Sequence, residues 1–143
     1  MIEIHTDGGA RGNPGPAAAG VVIGAPFNKN YAKYLGNGTN NEAEYEAVIL
    51  ALEKLKSLVG KTKTKETDVQ VFMDSQLAVE QLSGRYKIQS PNIIPRFIKI
   101  HNLRVDFKSV SFKHVPRAQN KGADAMVNQE LDKHEGTGTL FNS

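Results

Sequence analysis

The chain lacks residues on which several classes of protein depend. It has no cysteine, which excludes disulfides and thiolate metal sites and fits a reducing cell interior. It has no tryptophan, and its longest apolar-rich run, residues 17–27, is too short to span a bilayer. The opening residues, MIEIHTD, carry neither a basic lead nor an apolar export core. We therefore predict a cytoplasmic protein with no membrane partner.

The length and composition are those of one compact domain. The 143 residues are 39% hydrophobic and 23% charged, as in an ordinary globular protein that can bury a core. We predict one domain over residues 1–134. Residues 135–143 are then a tail that is flexible or docked through Leu140 and Phe141, with partner binding by these two side chains as the alternative.

The net charge of +3 conceals an asymmetry along the chain. Residues 85–121, called the basic segment below, hold nine Lys or Arg against the single acid Asp106, a net charge of +8. The rest of the chain therefore carries −5. This separation predicts a polyanionic partner for the basic segment and a cation site elsewhere. A solvated basic face is the alternative.

Hydrophobic periodicity and turn residues predict an α/β domain. Predicted strands cover residues 1–6, 17–25, 31–36, 69–73 and 109–115, the first three forming an antiparallel meander. Predicted helices cover residues 39–59, 75–82, 91–103 and 120–133, and residues 61–67 form a mobile loop. The first helix begins with a capping box, in which Thr39 and Glu42 cap each other's backbone.

Two acids lie where a helix pattern predicts apolar side chains. In TNNEAEYEAVILAL, Glu44 shares a helix face with Val48 and Leu55. Asp124 likewise heads the stripe that contains Val127. An isolated carboxylate entering a core is costly, so each should be neutralised or should face a cation.

Two further acids, Asp7 and Asp74, follow the first and fourth predicted strands. Any one acid alone is explained as a cap or turn residue, but four carboxylates brought together repel one another unless cations intervene. Without cysteine or paired histidines, oxygen ligands favour Mg²⁺ or Mn²⁺. Two such ions about 4 Å apart support in-line displacement at phosphorus by an activated water. In a nucleic acid backbone such an attack leaves 5′-phosphate and 3′-hydroxyl ends.

Four segments together resemble the signature blocks of the ribonuclease HI family. They are TDGGARGNPGP, TNNEAE, MDSQ and HVPRAQNKGADAMVN, which occur in the family's order and at suitable spacing. The resemblance covers nearly the whole chain. It implies a ribonuclease H-like fold, with a mixed five-stranded sheet in the order 3-2-1-4-5 and flanking helices. It also implies endonucleolytic cleavage of the RNA strand of an RNA/DNA hybrid. We predict that the chain acts as a monomer.

The resemblance assigns roles to individual residues. The catalytic, metal-binding acids fall on Asp7, Glu44, Asp74 and Asp124, which would hold two Mg²⁺ ions with substrate, Mn²⁺ being a substitute. The backbone of Gly8 is a further metal contact. Family positions that touch the RNA strand in the minor groove fall on Gly8, Asn13, Asn41 and Gln76, and those near the DNA strand on Thr39 and Asn40. Short amides reaching 2′-hydroxyls fit that task.

The chain departs from the commoner family pattern in two places. The segment GRYKIQSPNIIPRFIKIHNL is short and has no tryptophan, where many relatives have a basic protrusion that grips the hybrid. Arg117 stands near the position of a loop histidine and is predicted to be auxiliary, while His114 is predicted to be structural. A catalytically idle hybrid- or duplex-binding module and a DNA-directed nuclease of the same fold are the alternative functions.

Overall fold

The computed structural model describes the backbone of residues 1–142 and the side chains of residues 1–135. The strands are β1 Ile2–Ala10, β2 Gly15–Ile23, β3 Lys29–Gly38, β4 Asp68–Met73 and β5 Ser109–His114. The helices are α1 Asn40–Val59, α2 Lys61–Thr64, α3 Gln76–Leu82, α4 Ile94–Val105 and α5 Lys121–Asn142, with a 3-10 turn Arg117–Gln119 before α5. Within this described part, no helix combines the length and apolarity needed to cross a membrane.

The five strands form one mixed sheet in the order β3-β2-β1-β4-β5, which confirms the predicted order. The first three strands are antiparallel neighbours, so the predicted meander is also confirmed. The pairings of β1 with β4 and of β4 with β5 are parallel. The carboxyl ends of β1 and β4 therefore point to the same edge of the sheet.

Helices cover both faces of this sheet. Helix α1 packs on β1, β2 and α4, whereas α5 packs on β2, β1 and β3. Side chains alternate between faces along a strand, and neighbouring residues of β2 show the division. Ala19 belongs to the large core under α1, while Ala18 contacts Val127 and Leu131 of α5. Helices α1 and α5 therefore approach the sheet from opposite sides.

The first strand is longer than predicted, which changes the place of Asp7. Strand β1 continues to Ala10 because it stays paired with β2, where Asp7 lies opposite Gly20. Its parallel pairing with β4 ends earlier, at His5 and Phe72. Asp7 therefore lies inside a strand rather than at its end, but just beyond the last residue pair that β1 forms with β4.

The segment 61–67 is not the mobile loop that its polar sequence predicts. It contains the short helix α2, in which Thr64 is buried and its hydroxyl donates to the carbonyl of Lys61 at 2.8 Å. The backbone N–H of Lys108, before β5, donates to the carbonyl of Thr64 at 3.3 Å. These contacts fix the segment against the rest of the domain.

The boundaries of the last helices also differ from the prediction. Helix α4 begins at Ile94, three residues after the predicted start at Pro91, and Pro95 occupies its first turn. Helix α5 continues to Asn142, beyond the predicted end at Lys133. The predicted docking of residues 140 and 141 lies outside the described side chains.

Candidate active site

The four predicted acids line one cavity of about 400 Å³. They come from β1, α1, the residue after β4, and α5, so the cavity exists only in the folded chain. Three other predicted site residues also line it: Gly8, Asn40 and Arg117. Four predicted substrate contacts do not: Asn13, Thr39, Asn41 and Gln76.

The parallel pairing of β1 and β4 brings the first two acids together. The last pair in the register is His5 with Phe72. The same offset, carried two residues further, places Asp7 beside Asp74. Because both chains run toward the same edge, the two carboxylates emerge at one end of the sheet, where sites in α/β folds usually lie.

Two glycines let the helices that carry the other acids approach the sheet. A Cβ at Gly8 would lie 2.2 Å from the carbonyl carbon and oxygen of Ala43 and 2.4 Å from the nitrogen of Glu44. A Cβ at Gly20 would lie 2.4 Å from the carbonyl oxygen of Ala123, directly before the fourth acid. Backbone approach of this kind requires glycine. The glycines therefore set how near α1 and α5 come to β1 and β2.

Burial and mutual repulsion change the titration of two of the acids. Burial, followed by the charges of Asp74 and Asp124, a hydrogen bond with Asp124 and the charge of Glu44, raises the pKa of Asp7 to about 8. Burial also raises the pKa of Glu44 to about 7, against the hydrogen bond that Ser75 donates. Without counter-cations the cluster therefore keeps protons near neutral pH.

These carboxylates fit hard divalent cations. Among the described side chains, no group of three or more acids and histidines is already arranged to hold a metal ion. The cavity instead gathers oxygen donors, and the raised pKa of Asp7 shows that its charged form lacks compensation there. Oxygen-only donors suit Mg²⁺ or Mn²⁺, whose binding would displace the retained protons.

Two of the residues predicted to contact substrate also join the end of β1 and the turn that follows it to the start of α1. Asn13 accepts the N–H of Asn40 at 3.0 Å through its side-chain oxygen, and the side-chain oxygen of Asn40 accepts the N–H of Ala10 at 2.8 Å. Thr39 and Glu42 form the predicted capping box, which is confirmed. The side-chain nitrogens of both asparagines have no hydrogen-bond partner among the described residues, so they remain available to a ligand.

The other two predicted contacts differ in exposure. Gln76 is exposed in the first turn of α3. Asn41 is half-buried, and its side-chain oxygen is buried without a partner among the described residues. A buried acceptor without a donor is costly, so this oxygen is an unfavourable feature of the fold.

The loop before α5 places Arg117 at the cavity and His114 away from it. A guanidinium nitrogen of Arg117 lies 3.5 Å from a carboxylate oxygen of Asp124, and the arginine side chain is 80% exposed. His114 ends β5, is exposed, and does not line the cavity. The prediction that His114 serves packing is wrong because its side chain faces solvent.

Sequence patterns miss two residues of the site. Ser75, the first residue of the predicted helix 75–82, caps that helix by accepting the N–H of Ala78 at 3.2 Å, and it also donates to Glu44. Arg11 lines the cavity and forms ion pairs with Asp132 at 2.7 Å and with Glu135 at 2.9 Å. Both contacts join parts of the chain that are distant in sequence.

The basic segment is less available to a partner than its charge count indicates. Six of its cations are held elsewhere in the chain: Arg85 by Glu80, Arg96 by Glu42 and Glu46, Lys99 by Glu53, Arg104 by the carbonyls of Leu82 and Val110, Lys108 by Asp68, and Arg117 by Asp124. Lys87, Lys113 and Lys121 are exposed and have no ion pair among the described residues. We infer that these three lysines are its freest cations.

The chain is similar to proteins of known name over nearly its whole length. A family model described as reverse transcriptase-like matches residues 5–130. The bifunctional protein Rv2228c of Mycobacterium tuberculosis is 36% identical over 135 residues, which cover 92% of this chain and 35% of that protein. Ribonuclease HI of Halobacterium salinarum is 37% identical over 134 residues, covering 92% of this chain and 64% of the relative.

A similar solved structure is the crystal structure of LC11-RNase H1 in complex with an RNA/DNA hybrid. Its TM-score is 0.87 at 44% identity, and the match covers 94% of this chain and 99% of that one. The likeness therefore extends over the whole of that domain. By contrast, the chain spans only about a third of the mycobacterial relative.

Proposed function

Because the chain belongs to the ribonuclease H family, we propose that it is an endonuclease that hydrolyses the RNA strand of RNA/DNA hybrids. The observation that carries this proposal is the convergence of Asp7, Glu44, Asp74 and Asp124 on one cavity. A binding module without activity would not need four carboxylates whose burial and repulsion are unfavourable.

The four acids would hold two Mg²⁺ ions in the presence of substrate, with Mn²⁺ as a substitute. When bound, such ions activate a water for attack on phosphorus and stabilise the leaving oxygen. The chain's own part is to gather the oxygen donors, with the backbone of Gly8 beside them. Arg117, exposed next to Asp124, would attract the phosphate, since a guanidinium stays charged near neutral pH.

Polar groups in the turn after β1 and at the starts of α1 and α3 would recognise the hybrid. Asn13, Asn41 and Gln76, together with the backbone of Gly8, would contact the RNA strand in the minor groove, where 2′-hydroxyls distinguish RNA from DNA. Thr39 and Asn40 would lie near the DNA strand. The free side-chain nitrogens of Asn13 and Asn40 support such contacts.

Labelled RNA/DNA, DNA/DNA and RNA/RNA duplexes, each incubated with Mg²⁺ or with EDTA, test the proposal. We expect cleavage of the RNA strand of the hybrid only when a divalent cation is present. Cleavage of DNA/DNA would favour a DNA-directed nuclease of this fold. Binding of the hybrid without any cleavage would favour an idle binding module.

The ends of the products test the mechanism separately. A water nucleophile leaves 5′-phosphate and 3′-hydroxyl ends, because the RNA 2′-hydroxyl takes no part in the attack. Mass spectrometry of the fragments distinguishes these ends from a 2′,3′-cyclic phosphate. A cyclic product, or full activity in EDTA, would exclude the mechanism.

A further inference from the structure

Asn120 occupies a buried position between the loop and the helix that reach the cavity. It is only 1% exposed, and it lies between the 3-10 turn that begins with Arg117 and the start of α5. Its backbone N–H donates to the carbonyl of Arg117 at 2.9 Å, and its carbonyl accepts the N–H of Asp124 at 3.1 Å. Asn120 is therefore hydrogen bonded to the backbone of both Arg117 and Asp124, whose side chains line the cavity.

The side chain of Asn120 connects this loop to the central strand. Its amide nitrogen donates to the backbone carbonyl of Thr6 at 2.9 Å, in a hydrogen bond that spans 114 residues of sequence. Thr6 directly precedes Asp7. One buried amide thus ties the residue before the first acid to a position four residues before Asp124.

An ordinary helix cap does not explain this geometry. A capping asparagine uses its side-chain oxygen to accept an N–H from the first turn of its helix. The side-chain oxygen of Asn120 has no partner among the described residues, and neither has the buried hydroxyl of Thr6. Such buried unpaired oxygens are unfavourable, so the contribution of the asparagine lies in the hydrogen bond that its amide nitrogen donates to Thr6.

We propose that Asn120 is a positioning residue that fixes Asp124 against Asp7 and so sets the spacing of carboxylates that receive divalent cations. This inference rests on the proposed function for its catalytic consequence. Two hydrogen bonds link Asn120 to the cavity: its side chain holds Thr6 of β1, and its carbonyl holds the N–H of Asp124. Loss of a partner that orients a metal ligand commonly lowers metal affinity or activity.

Asn120→Ala is the direct test, because it removes the bond to Thr6 and keeps the backbone contacts. We expect kcat for hybrid cleavage to fall by about tenfold or more, with KM changed little, since losses of orienting partners weaken metal sites roughly 10- to 100-fold. Binding of Mn²⁺ alone, without nucleic acid and followed by electron paramagnetic resonance of the free ion, should weaken by a similar factor.

Thr64→Val provides the matched control. Thr64 is 2% exposed and its hydroxyl is hydrogen bonded, but it lies outside the cavity. This variant should lose stability and keep both kcat and Mn²⁺ affinity. Rates are compared per folded molecule, with the folded fraction measured by circular dichroism.

Asn120→Ser, which is smaller and has a hydroxyl in place of the amide, serves where the alanine variant does not fold. Unchanged Mn²⁺ affinity and kcat in a folded Asn120 variant would overturn the inference. Equal losses in Thr64→Val would do so too, because the effect would then be general destabilisation. If the wild-type protein cuts no hybrid, the proposed function fails, while the Mn²⁺ comparison still decides whether Asn120 positions the acids.

Discussion

Among single residues, Asp7 should dominate how stability depends on pH. Its pKa is raised to about 8, first by burial, whereas an unfolded aspartate titrates near 4. Between these values the folded state binds more protons than the unfolded state, so the stability of the cation-free protein should fall as pH rises from about 4 to about 8. Asp7→Asn removes the contribution of Asp7 and leaves that of Glu44, whose pKa is raised to about 7.

We therefore expect Asp7→Asn to abolish cleavage and, at pH 8 in EDTA, to be more stable than wild type. The gain should be at least about 1 kcal/mol, since one pKa unit corresponds to about 1.4 kcal/mol, and it should vanish toward pH 4. Urea unfolding at several pH values measures it, with Glu66→Gln as an exposed acid outside the cavity for control. A less stable Asp7→Asn at pH 8 would mean that the carboxylate is structural.

Arg117 and His114 should differ in their effect on turnover. Arg117→Ala should slow single-turnover cleavage roughly tenfold, since a hydrogen bond to a charged group contributes on the order of 1.5 kcal/mol. That loss is well short of the one from Asp7→Asn. His114 is exposed and outside the cavity, so His114→Ala should change neither the rate nor stability.

Rates measured from about pH 6 to 9, which brackets the ordinary histidine pKa, test these roles. Arginine stays charged throughout, so the pH profile should keep its shape in Arg117→Ala. A folded His114→Ala variant that falls to the level of Asp7→Asn would overturn the assignment.

Among the elements, α1 depends on one glycine in β1 for its place beside the other acids. A Cβ at Gly8 would overlap the backbone of Ala43, so Gly8→Ala should displace α1 and lower the free energy of unfolding by roughly 1–3 kcal/mol or more. Gly9→Ala is the matched control, because its Cβ would meet Val127 at an ordinary 3.7 Å. Thermal unfolding of both proteins measures the difference, and equal melting temperatures would show that α1 yields without cost.

The elements also show how far local patterns reach. The capping box and the apolar stripe beyond Glu44 are local signals, and α1 begins and ends where they predict. The length of β1 depends on its pairing with β2. The short helix α2 is fixed by contacts with the chain before β5. Pairing and long-range contacts leave no local signal, so these two features could not be predicted.

Across the whole molecule, cations that are already paired should contribute less to hybrid binding than free ones. Nine phosphate contacts would give a slope of log affinity against log salt of about −8. Replacing the three unpaired lysines, Lys87, Lys113 and Lys121, by Gln should reduce the steepness of the measured slope by up to about 3, roughly one for each phosphate that a lysine no longer neutralises.

A second triple variant, which has the same net charge as the first, serves as control. It replaces the paired cations Arg85, Lys99 and Lys108 by Gln. Its slope should change less, because each of these cations has an acid beside it that repels phosphate. Equal slopes for the two variants would show that pairing does not decide which cations meet the hybrid.

The acids of the site could be predicted from local patterns and from the motifs that contain them. Glu44 and Asp124 interrupt apolar helix faces, and all four acids lie in segments that resemble family motifs. Arg11 and Ser75 break no pattern. Their roles arise from contacts with α5 and with Glu44, which only the folded chain brings near.

The order of the acids along the chain has a consequence during biosynthesis. Residues 7, 44 and 74 leave the ribosome before residue 124, which lies on the last helix. We expect a stalled nascent chain with α5 still in the exit tunnel to cut no hybrid, while a longer stalled chain with α5 released cuts it. Activity in the shorter chain would show that three acids suffice. On this view translation withholds the activity of this domain until α5 has docked.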